Sequence, residues 1–243
     1  MRRTSLLAAL VCVCLPLMAN AYTVDELIAK NTEARGGESK LLALKSVRYT
    51  GKFKPGNGVE LSFTQSIKRP GLARNELSMQ GLTIVQAYDG KEGWQINPFQ
   101  GRKDPERMPA DDIKSLVDAA DLDGPLVRAK AKGNKIEYLG TEDVDGSDAH
   151  KLRVVEANGD KRIIYLDPDY FLAIRILYQR QIHGHESEQE VDLGDYEKVD
   201  GVYVPFEVAV GPKGATEKAQ LVIDKAQANL PLDDALFHFP AQQ

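Results

Sequence analysis

VRYTGKFKPGNGVELSFTQSIKRP, residues 47–70, decides the fold class. Val47, Tyr49, Gly51 and Phe53 alternate with Arg48, Thr50 and Lys52, and then Val59, Leu61, Phe63 and Ile67 alternate with Glu60, Ser62, Thr64 and Lys68. A period of two puts successive side chains on opposite faces, so this is a hairpin with one apolar and one wet face. Working outward, later strand-like runs are separated by GNK at 133–135, VDG at 144–146, NGD at 158–160, DPD at 167–169 and VDG at 199–201. Such short turns join antiparallel neighbours, because parallel strands need crossovers of about a dozen residues or more.

Three segments have a helical period instead. Thr23-Val24-Asp25-Glu26 reads as a capping box that opens a helix striped by Val24, Leu27 and Ile28 and stopped at Gly36-Gly37. A short piece from Glu38 to Lys45 leads into the first strand. Pro109 to Ala120 places Ile113, Leu116, Val117 and Ala120 on one face, with proline and acids where the helix dipole favours them. A long antiparallel sheet with so few helices must bury its apolar face by curling around them, and whatever stays unfilled becomes a pocket.

The ends and composition restrict the function. MRRTSLLAALVCVCLPLMANA, residues 1–21, has Arg2 and Arg3, an apolar run from Leu6 to Met18 and the small-x-small site Ala19-Asn20-Ala21, the pattern of a cleaved export signal. The run falls short of the roughly 20 residues a membrane-spanning helix needs. The expectation is a soluble periplasmic protein of residues 22–243 forming one domain, as a monomer. The two cysteines, Cys12 and Cys14, lie within the signal and each follows valine, where lipid attachment needs a small residue. The mature chain therefore has neither disulfides nor thiolate chemistry. Losing Arg2 and Arg3 leaves 29 basic residues of 31 against 36 acidic ones, a net charge of −7, and no basic run interleaves with aromatics, so nucleic acid is excluded as a partner.

Catalytic and metal-binding signatures are weak. No G-x-S-x-G elbow, H-E-x-x-H or phosphate-binding glycine loop occurs. His183-Gly184-His185, read as strand, would share a face, yet Glu186, Glu188 and Glu190 would lie on the other and no third ligand is placed. The Asp-rich turns at 121–124 and 143–146 lack calcium-loop spacing. No catalytic residue, cofactor or metal is expected. The single tryptophan, Trp94, shares a strand face with Ile96, and Asn97-Pro98 leaves Phe99 near the inserted helix. Spacing alone allows Trp94 to be core or cavity wall.

Lys68-Arg69-Pro70, then Tyr88-Asp89-Gly90-Lys91, Trp94, Asn97-Pro98-Phe99 and a closing Phe237-His238-Phe239-Pro240 resemble the ordered motif series of the periplasmic lipoprotein-sorting carriers, the LolA/LolB-like proteins. The order runs from about residue 22 to the C-terminus, but close similarity is confined to 68–101 and the last few residues. Lys130 to Val210 carries longer hairpins than the prototype carrier. The resemblance implies a mainly β fold, a strongly curved antiparallel sheet forming an incomplete barrel closed by a few helices, whose concave face shelters acyl chains. It implies a cavity and lid built from Tyr49, Phe53, Leu61, Phe63, Trp94, Ile96, Phe99, Ile113, Leu116 and Val117, with Arg69 as the latch that hydrogen-bonds the lid. It further implies an acylated lipoprotein or envelope lipid as cargo, moving from an inner-membrane donor to an outer-membrane acceptor. A lipoprotein sensor of the same fold, or an enzyme acting on envelope lipid or glycan, are the alternatives.

The export reading has a direct check. Intact mass of protein from a membrane-washed periplasmic extract is expected to match a chain beginning at Tyr22, and a diacylglyceryl adduct on Cys12 or Cys14 would overturn it.

Overall fold

The computed structural model describes residues 22–240, so the signal segment lies outside the described residues. Helix α1 (Val24–Ala34) has the capping box read from the sequence: Thr23 Oγ1 accepts from the Glu26 N–H at 3.2 Å, and Glu26 Oε2 accepts from the Thr23 N–H at 2.8 Å. Helix α2 (Glu38–Ala43) leads into β1 (Ser46–Gly56), which pairs with β2 (Val59–Lys68) as the alternation requires. The meander continues through β3 (Leu72–Met79), β4 (Leu82–Tyr88), β5 (Gly93–Asn97) and β6 (Arg102–Arg107). Residues 108–134, containing α3 (Lys114–Ala120), interrupt it. Seven strands follow: β7 (Lys135–Val144), β8 (Ser147–Val155), β9 (Lys161–Leu166), β10 (Ala173–Ile182), β11 (His185–Val199), β12 (Val202–Pro212) and β13 (Ala219–Ala228).

All thirteen strands form one antiparallel sheet in the order β6-β5-β4-β3-β2-β1-β13-β12-β11-β10-β9-β8-β7. The first and last strands therefore meet in the middle of the sheet. Its two free edges, β6 and β7, are consecutive in sequence and are joined by the α3 segment. The sheet is not closed, and it is the curved LolA-like sheet that the resemblance implies. Strand β6 was not apparent in the sequence because Pro105 and its charged neighbours mask it; an edge strand tolerates both.

Register separates the two faces. Val47, Tyr49 and Gly51 of β1 align with Ile67, Gln65 and Phe63 of β2, and Gly51 with Ile223 of β13; these side chains face inward with the helices. Leu41 and Leu44 of the α2 region pack there on Val47, Val127 and Val202, while Leu27 of α1 packs with Leu152, Val154, Ile164 and Leu166. The outer face of β1–β5 is covered by the C-terminal tail. Ser46 Oγ donates to the Leu230 carbonyl (2.7 Å), Lys68 Nζ to the Leu232 carbonyl (2.6 Å) and Arg74 Nη1 to the Leu236 carbonyl (2.9 Å).

Two sequence expectations change. The inserted helix begins at Lys114, not Pro109, because Asp111 and Asp112 face His183 instead of capping it: Asp111 Oδ2 accepts from the His183 N–H (2.8 Å) and Asp112 Oδ1 lies 2.8 Å from His183 Nε2. His183 and Gly184 form the turn between β10 and β11, at positive φ, so the two histidines do not share a strand face.

The β1–β13 seam depends on a missing side chain. At Gly51 the pairing shifts register between Thr50 and Gly51, and a Cβ there would lie 2.0 Å from the Val222 carbonyl oxygen. A Cβ at Gly194 in β11 would meet open space. Gly51→Ala is expected to cost about 2 kcal/mol or more in denaturant unfolding, and Gly194→Ala to stay within about 0.5 kcal/mol. Equal stability of the two variants would show that the seam does not need the close approach.

Candidate functional site

The concave face encloses a cavity of about 310 Å3, at the small end of the roughly 300–1,000 Å3 of ligand sites. Its wall is mainly apolar and drawn from both halves of the sheet: Val47 and Ile67 on one side, Ile164, Ile176 and Leu193 on the other, with Val204, Val208, Leu221 and Ile223 between. Ala119, Leu122, Pro125 and Leu126, from the α3 segment, complete the enclosure.

That segment is held to the two halves by different means. On the first half the contact is apolar: Ile113 lies against Gly93, where a Cβ would come within 2.2 Å of the isoleucine Cγ2, and Leu116 is fully buried. On the second half it is mixed: Leu126 packs with Leu152, Val154, Ile164 and Leu166, and α3 itself is held by ion pairs. Asp118 accepts from Arg162 Nη2 of β9 (2.6 Å) and from Arg180 Nη2 of β10, and Arg162 also pairs with Glu156. Burial acts to lower the Arg162 pKa, but the neighbouring Asp118 and Glu156 carboxylates offset this and the pKa is raised. Burial raises the Tyr178 pKa, so the phenol stays neutral. Lys114 Nζ adds Asp160 (3.2 Å) and the Gln181 carbonyl (2.8 Å).

Beyond α3 the chain is tied to the N-terminal helices. Arg69 donates from Nε to the Leu44 carbonyl (2.6 Å), from Nη2 to the Leu41 carbonyl (3.0 Å), and from both Nη atoms to the buried Asp123 carboxylate. One side chain thereby joins the end of β2, the C-terminus of α2 and the turn after α3. A planar guanidinium suits this role because its donors diverge in fixed directions. Lys132 Nζ holds Asp121 at 2.6 Å.

Arg35, at the C-cap of α1, reaches the cavity wall beside Tyr49 and Tyr196. Its Nη1 donates to the Asp123 carbonyl (2.6 Å) and its Nη2 weakly to the Leu122 carbonyl (3.4 Å). Burial lowers the Arg35 pKa and raises that of Tyr49 to about 12; it raises that of Tyr196 as well, whose hydroxyl donates to the Ala173 carbonyl (2.7 Å).

Of the residues the sequence proposed as cavity or lid, Tyr49 lines this cavity. Phe53, Leu61 and Phe63 face the same side further along the hairpin, Phe53 and Phe63 packing with Phe206, Ile223 and Leu77. Ile113 and Leu116 hold the α3 segment on the first half, whereas Val117 and Phe99 are each 40 % exposed. Trp94 and Ile96 lie on the opposite face. Trp94 pairs with Ala87, which aligns through Arg74 and Ser66 with Arg48, the outward parity of β1. A one-residue difference in register exchanges the faces of a sheet. Trp94, 2 % exposed, is outer core beneath the tail: its Nε1 donates to the Phe237 carbonyl (2.8 Å) and its ring packs edge-on to Phe239. Arg35, Asp118, Arg162, Arg180 and Tyr196 were not singled out from the sequence, and Asp123 was weighed there only within a calcium-like turn. The Gly-Gly stop after Arg35 was its only local signal, and for the others none exists without the tertiary pairing.

No protein-family model matches the chain, and no curated protein does. Solved structures do. A DUF1329 family protein from Desulfovibrio piger superposes with a TM-score of 0.60 at 13 % identity, covering 88 % of this chain and 97 % of its own. A putative outer membrane lipoprotein-sorting protein domain from Vibrio parahaemolyticus gives 0.57 at 12 %, covering 88 % and 97 %. A LolA superfamily protein from Nitrosomonas europaea gives 0.57 at 13 %, covering 90 % and 98 %. At such identities the likeness is one of fold, and the chain has the LolA-like fold.

Proposed function

We propose that the protein is a periplasmic carrier that shelters lipid acyl chains, of a lipoprotein or another envelope lipid, in the cavity of its concave face for transfer towards the outer membrane. The observation that carries this reading is the apolar cavity closed on one side by a segment that ion pairs hold to half of the sheet. Burial is worth about 0.8 kcal/mol per CH2, so a sixteen-carbon chain exposed to water costs on the order of 12 kcal/mol. Passage through an aqueous space therefore needs a shelter, while transfer from one apolar site to another is nearly neutral. A carrier needs a closure that opens, and hydrogen-bonded ion pairs suit one because water and salt can replace them once they separate. The fold neighbours that carry lipoprotein-sorting names are consistent with this role without fixing it. Among the described residues no helix is long and apolar enough to cross a membrane.

In this reading Arg69 is the latch, through its bonds to Leu41, Leu44 and Asp123. Arg69→Leu is expected to retain uptake of a long-chain acyl probe and to speed its transfer to acceptor vesicles. A variant that changes only the melting temperature would make Arg69 a structural cation. Failure of the wild-type protein to bind any acyl probe would remove the carrier function itself.

Asp118 is the corresponding tie to the second half. Removing it leaves Arg180 without a carboxylate and Arg162 with Glu156 alone. Asp118→Ala is expected to lower stability by roughly 3 kcal/mol, as losing one partner of a buried pair does, and to expose residues 108–134 to limited proteolysis. A loss below about 0.5 kcal/mol with unchanged proteolysis would show that ion pairing does not hold the segment.

A further inference from the structure

Three charged side chains line the cavity, and of these Arg35, unlike Asp118 and Asp121, has no direct ion pair among the described residues. Arg35 sits where α1 ends, its position fixed by contacts that leave little freedom. Its carbonyl accepts from the Tyr203 N–H (2.9 Å), and the following Gly36, at φ +117°, lies so close to the β11–β12 turn that a Cβ would come within 2.2 Å of the Gly201 carbonyl oxygen. The guanidinium is thus held against an apolar cavity, where an unpaired charge is costly. Its bonds go to two backbone carbonyls, one of them long, which leaves donors of its five N–H groups unused.

The nearby Asp123 and Asp121 carboxylates favour its charge, but each is paired with another cation. Asp121 is taken by Lys132, Asp123 by Arg69, and Asp118 by Arg162 and Arg180; among the described residues none forms an ion pair with Arg35. Of the two adjoining phenols, Tyr49 adds a neutral donor. Tyr49 lines the cavity with no hydrogen-bond partner among the described residues, and Tyr196, its own proton spent on Ala173, stands beside the guanidinium. An apolar chamber with a fixed cation and a hydroxyl at one wall matches a molecule with an apolar chain and an acidic head.

We infer that the cavity binds a single-chain amphiphile through its carboxylate, of the long-chain fatty acid class, with Arg35 and Tyr49 holding the head and the chain lying along Ile176, Leu193 and Val208. This rests on the carrier reading and narrows its cargo: a neutral acyl chain would leave Arg35 unanswered.

Two probes of equal chain length, palmitate and hexadecanol, separate the head from the chain. Competition against a fluorescent acyl probe at pH 8 is expected to show the wild-type protein binding palmitate at least about tenfold more tightly than hexadecanol, the size of one charged hydrogen-bonded contact. Arg35→Gln should remove that preference, weakening palmitate at least about tenfold more than hexadecanol, and Arg35→Lys should restore part of it. Equal wild-type affinity for the two probes, or a preference that survives Arg35→Gln, overturns the assignment while leaving a neutral-lipid carrier standing. Binding of neither probe overturns the carrier reading along with it. Should Arg35→Gln fail to fold, the wild-type comparison alone decides.

Discussion

The antiparallel pairing of β1 with β13 is the constraint on which the rest of the structure depends. Two meanders, β1–β6 and β7–β13, are joined side by side only there, so the free edges fall at β6 and β7. Because those edges are consecutive in sequence, the segment between them must cross from one half to the other, and it carries α3 over the concave face. The same pairing sets Ile223 and Leu221 of β13 opposite Gly51 and Phe53 of β1, so that they share the cavity floor with Val47 and Tyr49 further along the strand. Gly51 permits it by letting the Val222 carbonyl approach where any side chain would collide.

The α3 segment is held over the concave face by interactions of different kinds. Ile113 and Leu116 give the α3 segment an apolar anchor on the first half; on the second, Asp118 and Lys114 give α3 an ionic one and Leu126 adds an apolar contact after it. A buried ion pair adds little net stability because desolvation offsets its attraction, but breaking one partner away from the other is costly. Such contacts define a closed position more than they deepen it. Arg69 works in the same way at the other end of the segment, joining α2 to Asp123. The outer face shows the contrary arrangement: Leu72, Phe237 and Leu232 pack together beneath the tail, and Trp94 is bonded to it through the Phe237 carbonyl, which is suited to permanence.

Much of this architecture was legible in local patterns. The hairpin of β1 and β2, the capping box of α1 and the turns at 144–146, 158–160 and 199–201 follow from periodicity and turn chemistry, which act over a few residues. The seam of β1 with β13 was not legible, since no local signal says which strands meet across about 180 residues. Trp94 shows the same limit: its alternation with Ile96 was readable, but the face it takes depends on how β4 and β5 align with β1 through two intervening strands. Asp118 sits one residue from Val117 on a helix read for its apolar stripe, and its importance lies in Arg162 and Arg180, more than 40 residues away. Arg35 drew no notice in the sequence, because the Gly36-Gly37 stop marks only where the helix ends.

The central claim is that residues 108–134 form a closure that opens independently of the sheet. Native-state hydrogen exchange resolved along the chain tests it most directly. The account predicts that amides of α3 exchange through a local opening of much lower free energy than amides of β1 and β13, and that raised salt speeds α3 exchange while leaving the seam protected. If α3 and the seam exchange together at the free energy of global unfolding, at low and high salt alike, the segment is ordinary core and the account is contradicted.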